Sequence, residues 1–266
     1  MIQIDHERCI RCGLCVRECP VLCFRLNENG VSLRHEEYCL HCGHCVAVCP
    51  AAAIALEGRP RAGETIPSDE LPPVRPFMAF EDFDNLAKGR RSVRVFKNDA
   101  VPRETLLRAL DCARYAPTGK NLENVSWIVI EGRERLRRIA DAVVETYRSI
   151  PAMAGVVRSH DAGHDPIFRG APCAVFACAD SGYDLSACNC DIAVTYLELA
   201  LPTLGLGTCW AGFVMRAAID SPAVRAAIGA PEGQTPFAGL MVGLPDIRYR
   251  RIPARRELRV TWMADE

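Results

Sequence analysis

The chain has almost no net charge. Its 266 residues carry 32 Lys and Arg against 33 Asp and Glu, a formal charge of −1. It therefore lacks the basic excess that nucleic acid or an acidic membrane surface demands. The arginines at 248, 250, 251, 255, 256 and 259 come with no interleaved aromatics and no nucleic-acid-binding motif. A membrane-spanning run is missing too. The longest uncharged stretch, Leu199–Met215, is 17 residues long and is broken by Pro202, Gly205, Gly207 and Gly212. It reads as a buried helix, a turn and a strand. No Gly-x-Gly-x-x-Gly follows a strand, so no dedicated dinucleotide domain is expected. No leader precedes Cys9, which makes a reducing cytoplasm the expected setting.

Cysteine, by contrast, is plentiful, at 15 residues. Eight of them fall into two copies of one run: Cys9-x2-Cys12-x2-Cys15-x3-Cys19-Pro20, and Cys39-x2-Cys42-x2-Cys45-x3-Cys49-Pro50, offset by 30 residues. A thiolate every third residue lets a short loop wrap one face of an iron–sulfur cube. The fourth cysteine, before proline, lies too far along to close the same cube and ligates the other one. One [4Fe–4S] cluster is thus expected on Cys9, Cys12, Cys15 and Cys49, and a second on Cys39, Cys42, Cys45 and Cys19. Zinc is the competing reading, but it favours two separated Cys-x2-4-Cys pairs per site. The runs resemble bacterial two-cluster ferredoxins over residues 1–57. Cys23, four residues after Cys19, is expected on a short helix as a small buried apolar residue; its counterpart in the second repeat is Ala53.

Half the residues are apolar, enough for the cluster domain and one further domain of about 190 residues. Residues 58–80 hold five prolines and read as a stiff, extended linker. The second domain is expected over 81–266. Pro102 suits a helix start, and Leu106, Leu107, Leu110 and Ala113 follow at helical spacing. Strands are expected at Val125–Ile130, Pro172–Ala179, Thr208–Val214 and Phe237–Val242, and a charged amphipathic helix at Arg133–Arg148. Ser149–Gly170 reads as a loop or lid. Asp191–Leu204 is apolar almost all round, which asks for cover on both sides, by its own domain and a partner subunit. The class is α+β.

Arg90-Arg91-Ser92-Val93-Arg94-Val95-Phe96 alternates guanidinium and hydroxyl groups that share one side of an extended segment, suited to a phosphate and a polar ring edge. It is followed by Ala116-Pro117-Thr118-Gly119-Lys120-Asn121, by Leu204-Gly205-Leu206-Gly207-Thr208-Cys209-Trp210-Ala211-Gly212, and by Ile252-Pro253-Ala254-Arg255-Arg256. In that order and spacing the four segments resemble the FMN-dependent nitroreductase family across about 82–266.

The resemblance implies FMN contacts from Arg90, Arg91, Ser92 and Arg94. Thr118, Gly119 and Asn121 would reach the flavin of a second subunit, and Trp210, Ala211 and Gly212 would lie along the ring. Arg255 and Arg256 would close on the phosphate. Two positions depart from the family: Leu122-Glu123-Asn124 stands where a Gln is frequent, and Pro202 interrupts a helix interior. No catalytic side chain is implied, because water can supply the protons. The whole implies a homodimeric FMN oxidoreductase exchanging electrons with two clusters. Its donor would be ferredoxin or NAD(P)H, and its acceptor a nitroaromatic, quinone or activated alkene. The alternative is an electron-transfer subunit without a small substrate of its own. Cys188 and Cys190 read as packing residues, and His160, His164 and Asp165 as a polar loop.

Overall fold

A computed structural model describes residues 1–57, 65–66 and 78–264. Most of the expected linker therefore lies outside the described residues. Two compact units emerge, residues 1–77 with 118–122, and residues 78–117 with 123–266.

In the smaller unit the 30-residue repeat is visible in the backbone. Helices α1 (Leu14–Glu18) and α2 (His44–Val48) start after left-handed glycines, Gly13 at φ 71° and Gly43 at φ 75°. Arg11 and His41 share a positive φ, as do Leu22 and Ala52, each pair 30 residues apart. A non-glycine residue adopts that conformation at a cost, so four such positions mark loops bent for a purpose. Strand β1 (Ile2–Ile4) pairs antiparallel with β4 (Ile54–Glu57), and β2 (Phe24–Asn27) with β3 (Gly30–Leu33). A two-residue strand, β5 (Thr65–Ile66), extends the first sheet. Ile2, Phe24, Val31, Val46 and Ile54 form a small core among the cysteines. Cys23 lies on no helix; it is in the coil just before β2, fully buried.

The larger unit is built on an antiparallel sheet ordered β6-β7-β9-β8. Its strands are β6 (Ser126–Glu131), β7 (Cys173–Asp180), β8 (Gly207–Trp210) and β9 (Gln234–Gly243). The run Cys-Ala-Val-Phe-Ala-Cys-Ala of β7 has no polar face because both faces are covered. Ala174 and Phe176 meet α5 (Arg133–Tyr147), α8 (Gly212–Asp220) and α9 (Pro222–Ile228). Cys173, Val175, Ala177 and Ala179 meet α4 (Arg103–Ala113) and α7 (Ser186–Thr203). Helix α3 (Phe80–Gly89) leads into this unit.

Several expectations shift. In α4 the buried stripe is Leu106, Ala109 and Ala113, while Leu107 is exposed. The expected loop at 149–170 contains a short 3-10 turn and α6 (Ala154–Asp161). The expected strand Thr208–Val214 stops at Trp210, and residues 212–214 open α8 instead. Strand pairing ends where Ala211 N–H turns to Gly239 O. Helix α7 begins five residues earlier than expected. Pro202 lies in its last turn, where the N–H it lacks would have donated to the Glu198 carbonyl, and Gly205 at φ 78° ends the helix as Leu206 N–H returns to Leu201 O. Its inward face is buried, whereas Asp191, Thr195 and Tyr196 are exposed.

Candidate functional site: two thiol-rimmed cavities and a buried arginine–carboxylate cluster

Each half of the small unit frames a cavity. One is lined by Cys9, Cys12, Cys15 and Cys49 with Ile4, Val31 and Ile54. The other is lined by Cys39, Cys42, Cys45 and Cys19, joined by Cys23. Three thiols in each set come from one repeat and the fourth from the other. Backbone N–H groups point at the fourth: Cys23 N donates to Cys19 Sγ at 3.3 Å and Ala53 N to Cys49 Sγ at 3.2 Å. His41 N donates likewise to Cys39 Sγ at 3.3 Å. Such bonds stabilise sulfur that carries negative charge. Burial pushes the Cys45 thiol up to about 12, and burial with nearby thiols raises Cys15. Thiols this crowded ionise together only when a cationic centre compensates them, which is the chemistry an iron–sulfur cube supplies. The donor set fits two such groups. Among the described residues no group of three His, Cys, Asp or Glu is arranged for a single ion.

In the larger unit the Arg90–Phe96 segment lies along the outer edge of β8. Val93 N donates to Thr208 O at 2.8 Å, Lys97 N to Leu244 O at 2.8 Å, and Asp246 N to Val95 O at 3.0 Å. Only single bridges form, Ser92 with Thr208 and Phe96 with Pro245. Val93 and Phe96 are buried while Arg94 and Val95 are both exposed. Burial along the segment thus does not alternate as it would in a regular strand. Gly207 allows the close approach: a Cβ there would stand 2.8 Å from Val93 Cγ2.

The arginines have separate partners. Arg90 Nη1 pairs with Glu198 Oε1 at 3.0 Å, and Trp210 Nε1 donates to Glu198 Oε2 at 3.0 Å. Arg91 turns back on the carbonyls of Arg90 and Lys88. Among the described residues Arg94 donates only to Ser92 O, at 3.4 Å, and its side chain is exposed. Ser92 O also accepts from Tyr249 Oη at 3.2 Å. Ala211 and Gly212 start α8 without a side-chain cap. That turn is tied down by Tyr147, whose hydroxyl donates to Phe213 O at 2.5 Å and whose ring meets Phe213 edge-on. Thr118, Gly119 and Asn121 form a tight turn with Lys120 at φ 54° and Asn121 at φ 52°. Arg255 and Arg256 lie in an exposed tail without helix or strand and make no hydrogen bond or ion pair with the described residues.

Two of the three residues expected in a polar loop make local contacts. His160 Nε2 meets Asp141 Oδ1 at 2.9 Å, and the Asp165 carboxylate accepts from the N–H groups of Ile167, Phe168 and Gly170. Cys190 is buried and Cys188 exposed, so they do not form a facing pair.

Comparison with known families decides the class. The nitroreductase family model matches residues 87–244, and a 4Fe-4S dicluster domain model matches residues 1–50. The chain belongs to the nitroreductase family. A relative described as a putative NADH dehydrogenase/NAD(P)H nitroreductase, from Methanothermobacter thermautotrophicus, is 27% identical over 163 residues, 59% of this chain and 74% of the relative. An iodotyrosine deiodinase from Thermotoga neapolitana is 28% identical over 130 residues, 47% of this chain and 70% of its own. A nitroreductase crystal structure with bound FMN from Desulfitobacterium hafniense covers 69% of this chain and all of its own (100%), at TM-score 0.58 and 22% identity. That likeness establishes the α+β nitroreductase fold. No helix among the described residues is long and apolar enough to cross a membrane.

Proposed function

We propose that this nitroreductase-family oxidoreductase binds FMN in the larger unit and two [4Fe–4S] clusters in the smaller, and reduces a small organic acceptor with electrons received through the clusters. The observation that carries the reading is the pair of cavities, each rimmed by three thiols of one repeat and one of the other. Two one-electron centres have little use on an enzyme served only by a two-electron donor. FMN, when bound, supplies the step between one-electron carriers and a two-electron acceptor. Protein groups then act by position: Arg94 offers an exposed charge and Arg90 a fixed one, and the first turn of α8, next to Trp210 in the chain, has no side-chain cap. Thr118, Gly119 and Asn121 remain candidates to complete a flavin site of a second copy.

A homodimer is part of the reading. The tail exposes Leu258, Trp262 and Met263, with Trp262 91% accessible, and Ile192, Tyr196 and Leu199 line the uncovered side of α7. A second copy would cover such surface. Arg255 and Arg256, on the same tail, would be brought to the phosphate by that packing. The acceptor is a nitroaromatic, a quinone or an activated alkene; the likeness to a deiodinase adds halogenated aromatics to the panel.

The test compares the full chain with a Cys12→Ser, Cys42→Ser variant that keeps the flavin. Reduced ferredoxin is expected to reduce the FMN of the intact protein quickly and that of the variant at least about 10-fold more slowly, while any reduction by NADH or NADPH stays the same. Equal rates with ferredoxin would remove the clusters from the entry path. Absence of turnover with every acceptor, together with fast electron exchange with a partner protein, would favour an electron-transfer subunit.

A further inference from the structure

Behind the fourth thiol of each set the two repeats follow one backbone course. Leu22 and Ala52 take the left-handed conformation, at φ 56° and 47°. The next residue returns its N–H to the sulfur of Cys19 or Cys49, and a strand follows at once, β2 or β4. That next residue is Cys23 in the first repeat and Ala53 in the second. Both are buried, at 1% and 3% accessibility. Each stands in the wall of a cavity: Cys23 in that of Cys39, Cys42, Cys45 and Cys19, Ala53 in that of Cys9, Cys12, Cys15 and Cys49. At this position the backbone and its hydrogen bond are common to both sites, and the difference is a thiol. The Cys23 side chain meets those of Cys19 and Cys39, both expected ligands of one cluster.

A thiol buried in an apolar wall keeps its proton, and S–H is a donor, though a weak one. The partners within its reach are sulfurs, and sulfur that ligates iron carries negative charge. That charge grows when the centre takes up an electron, so a hydrogen bond to ligand sulfur favours the reduced state.

We propose that Cys23 is a positioning residue whose S–H donates to the ligand sulfur of Cys19 or Cys39 and raises the reduction potential of the cluster held there, a bond that Ala53 denies to the other cluster. One electron is taken up and no proton moves, because the thiol remains S–H in both states. Two closely matched centres are thereby made unequal, which biases electron transfer between them towards the Cys39 cluster. The proposal rests on the reading that a [4Fe–4S] cluster fills each cavity.

The test is a redox titration followed by EPR on full-length, anaerobically reconstituted protein, with iron analysis alongside. Cys23→Ala gives both cavities the same residue at this position. It is expected to keep about eight iron atoms per chain. Reduction of the Cys39 cluster should become about 3- to 10-fold less favourable, a fall of about 30–60 mV for a one-electron couple. The Cys9 cluster should not change. Cys23→Ser keeps a donor, so its potential should stay at or above that of the unaltered protein. Ala53→Cys should raise the potential of the Cys9 cluster by a similar factor. Repeating the Cys23 titrations on a Cys49→Ser background, where only the Cys39 cluster is expected, assigns the shift to its cluster. An unchanged or raised potential in Cys23→Ala would overturn the proposal, and so would a Cys23→Ser protein that behaves like Cys23→Ala. Should Cys23→Ala lose its cluster, Ala53→Cys decides, and no rise there overturns the proposal. If the unaltered protein holds no more than about four iron atoms, the two-cluster reading itself has failed, which iron analysis shows before any potential is measured.

Discussion

The two units assemble their chemistry in opposite ways. The smaller draws three thiols of each set from seven consecutive residues, with the loop held open by left-handed turns at Arg11 and Gly13, and again at His41 and Gly43. The larger brings Arg90 to Glu198 across 108 residues and to Trp210 through the same carboxylate. A local site depends on loop geometry and on the ligand it wraps. A dispersed site depends on the sheet and helices that carry its members, so a change in packing can disable it with every site residue still present. Damage should therefore stay confined to one site in the small unit and spread through packing in the large one.

The sharpest break of that contrast is Cys49→Ser. It should abolish the cluster on Cys9, Cys12 and Cys15 and spare the other, leaving about half of the iron. Iron analysis and EPR check this, and loss confined to the Cys39, Cys42 and Cys45 cluster would show the fourth ligands to be uncrossed. Next in size is Arg90→Ala. Losing one charge-assisted hydrogen bond should weaken FMN binding about 10- to 100-fold. The protein without flavin should also lose about 2–3 kcal/mol, because Glu198 is left buried without its counter-charge; the effect is at the low end because the Arg90 side chain is 25% exposed. Flavin titration and thermal melts separate the two effects. Gly207→Val touches no expected flavin contact but drives a side chain into Val93, at a cost of about 1–3 kcal/mol. It should loosen FMN by displacing the Arg90–Phe96 segment from β8. Tight flavin binding in a folded Gly207→Val protein would mean that this segment does not set the site.

Much of the fold could be read in advance where the pattern was dense. The amphipathic stripe Leu136, Ile139, Ala140, Val143, Val144 and Tyr147 defines α5 without ambiguity. The apolar β7 could be seen to need cover on both faces. Strand β8 was expected to run to Val214, because Trp210–Val214 is as apolar as a strand and only the turn at Ala211 separates the two outcomes. Helix α6 has half-buried residues and no clean stripe, so its period is weak. The cysteine sets were legible because the ligands of a cube are encoded by spacing. Alternation in Arg90–Phe96 suggested one shared face, but the segment meets β8 only at Ser92 and Val93, and Arg94 and Val95 are exposed in succession. Glu198 went unseen inside a helix read as apolar. A single acid in such a run was the available signal, since a buried carboxylate requires a partner; its identity could come only from the fold.

The smallest expected effect separates core cysteines from cluster cysteines. Cys173, Cys178 and Cys190 lie buried on β7 and α7, and burial pushes each thiol up to about 12 from an ordinary 9.0. A thiol whose pKa is raised on folding stays neutral longer in the native state than in the unfolded chain. Its contribution to stability is complete below about pH 9 and drains away as pH climbs towards 12. Each such thiol should then cost up to about 1.4 kcal/mol per pH unit in that window. Cys112 and Cys188, both exposed, should react with a thiol reagent at pH 8 in the folded protein, and the three core thiols should not. Cys173→Ala should flatten the alkaline fall in stability relative to the unaltered chain, measured by denaturant melts between pH 9 and 11. An unchanged slope would mean that this strand opens enough in alkali to hydrate its thiols, and that the core around β7 is looser than its packing implies.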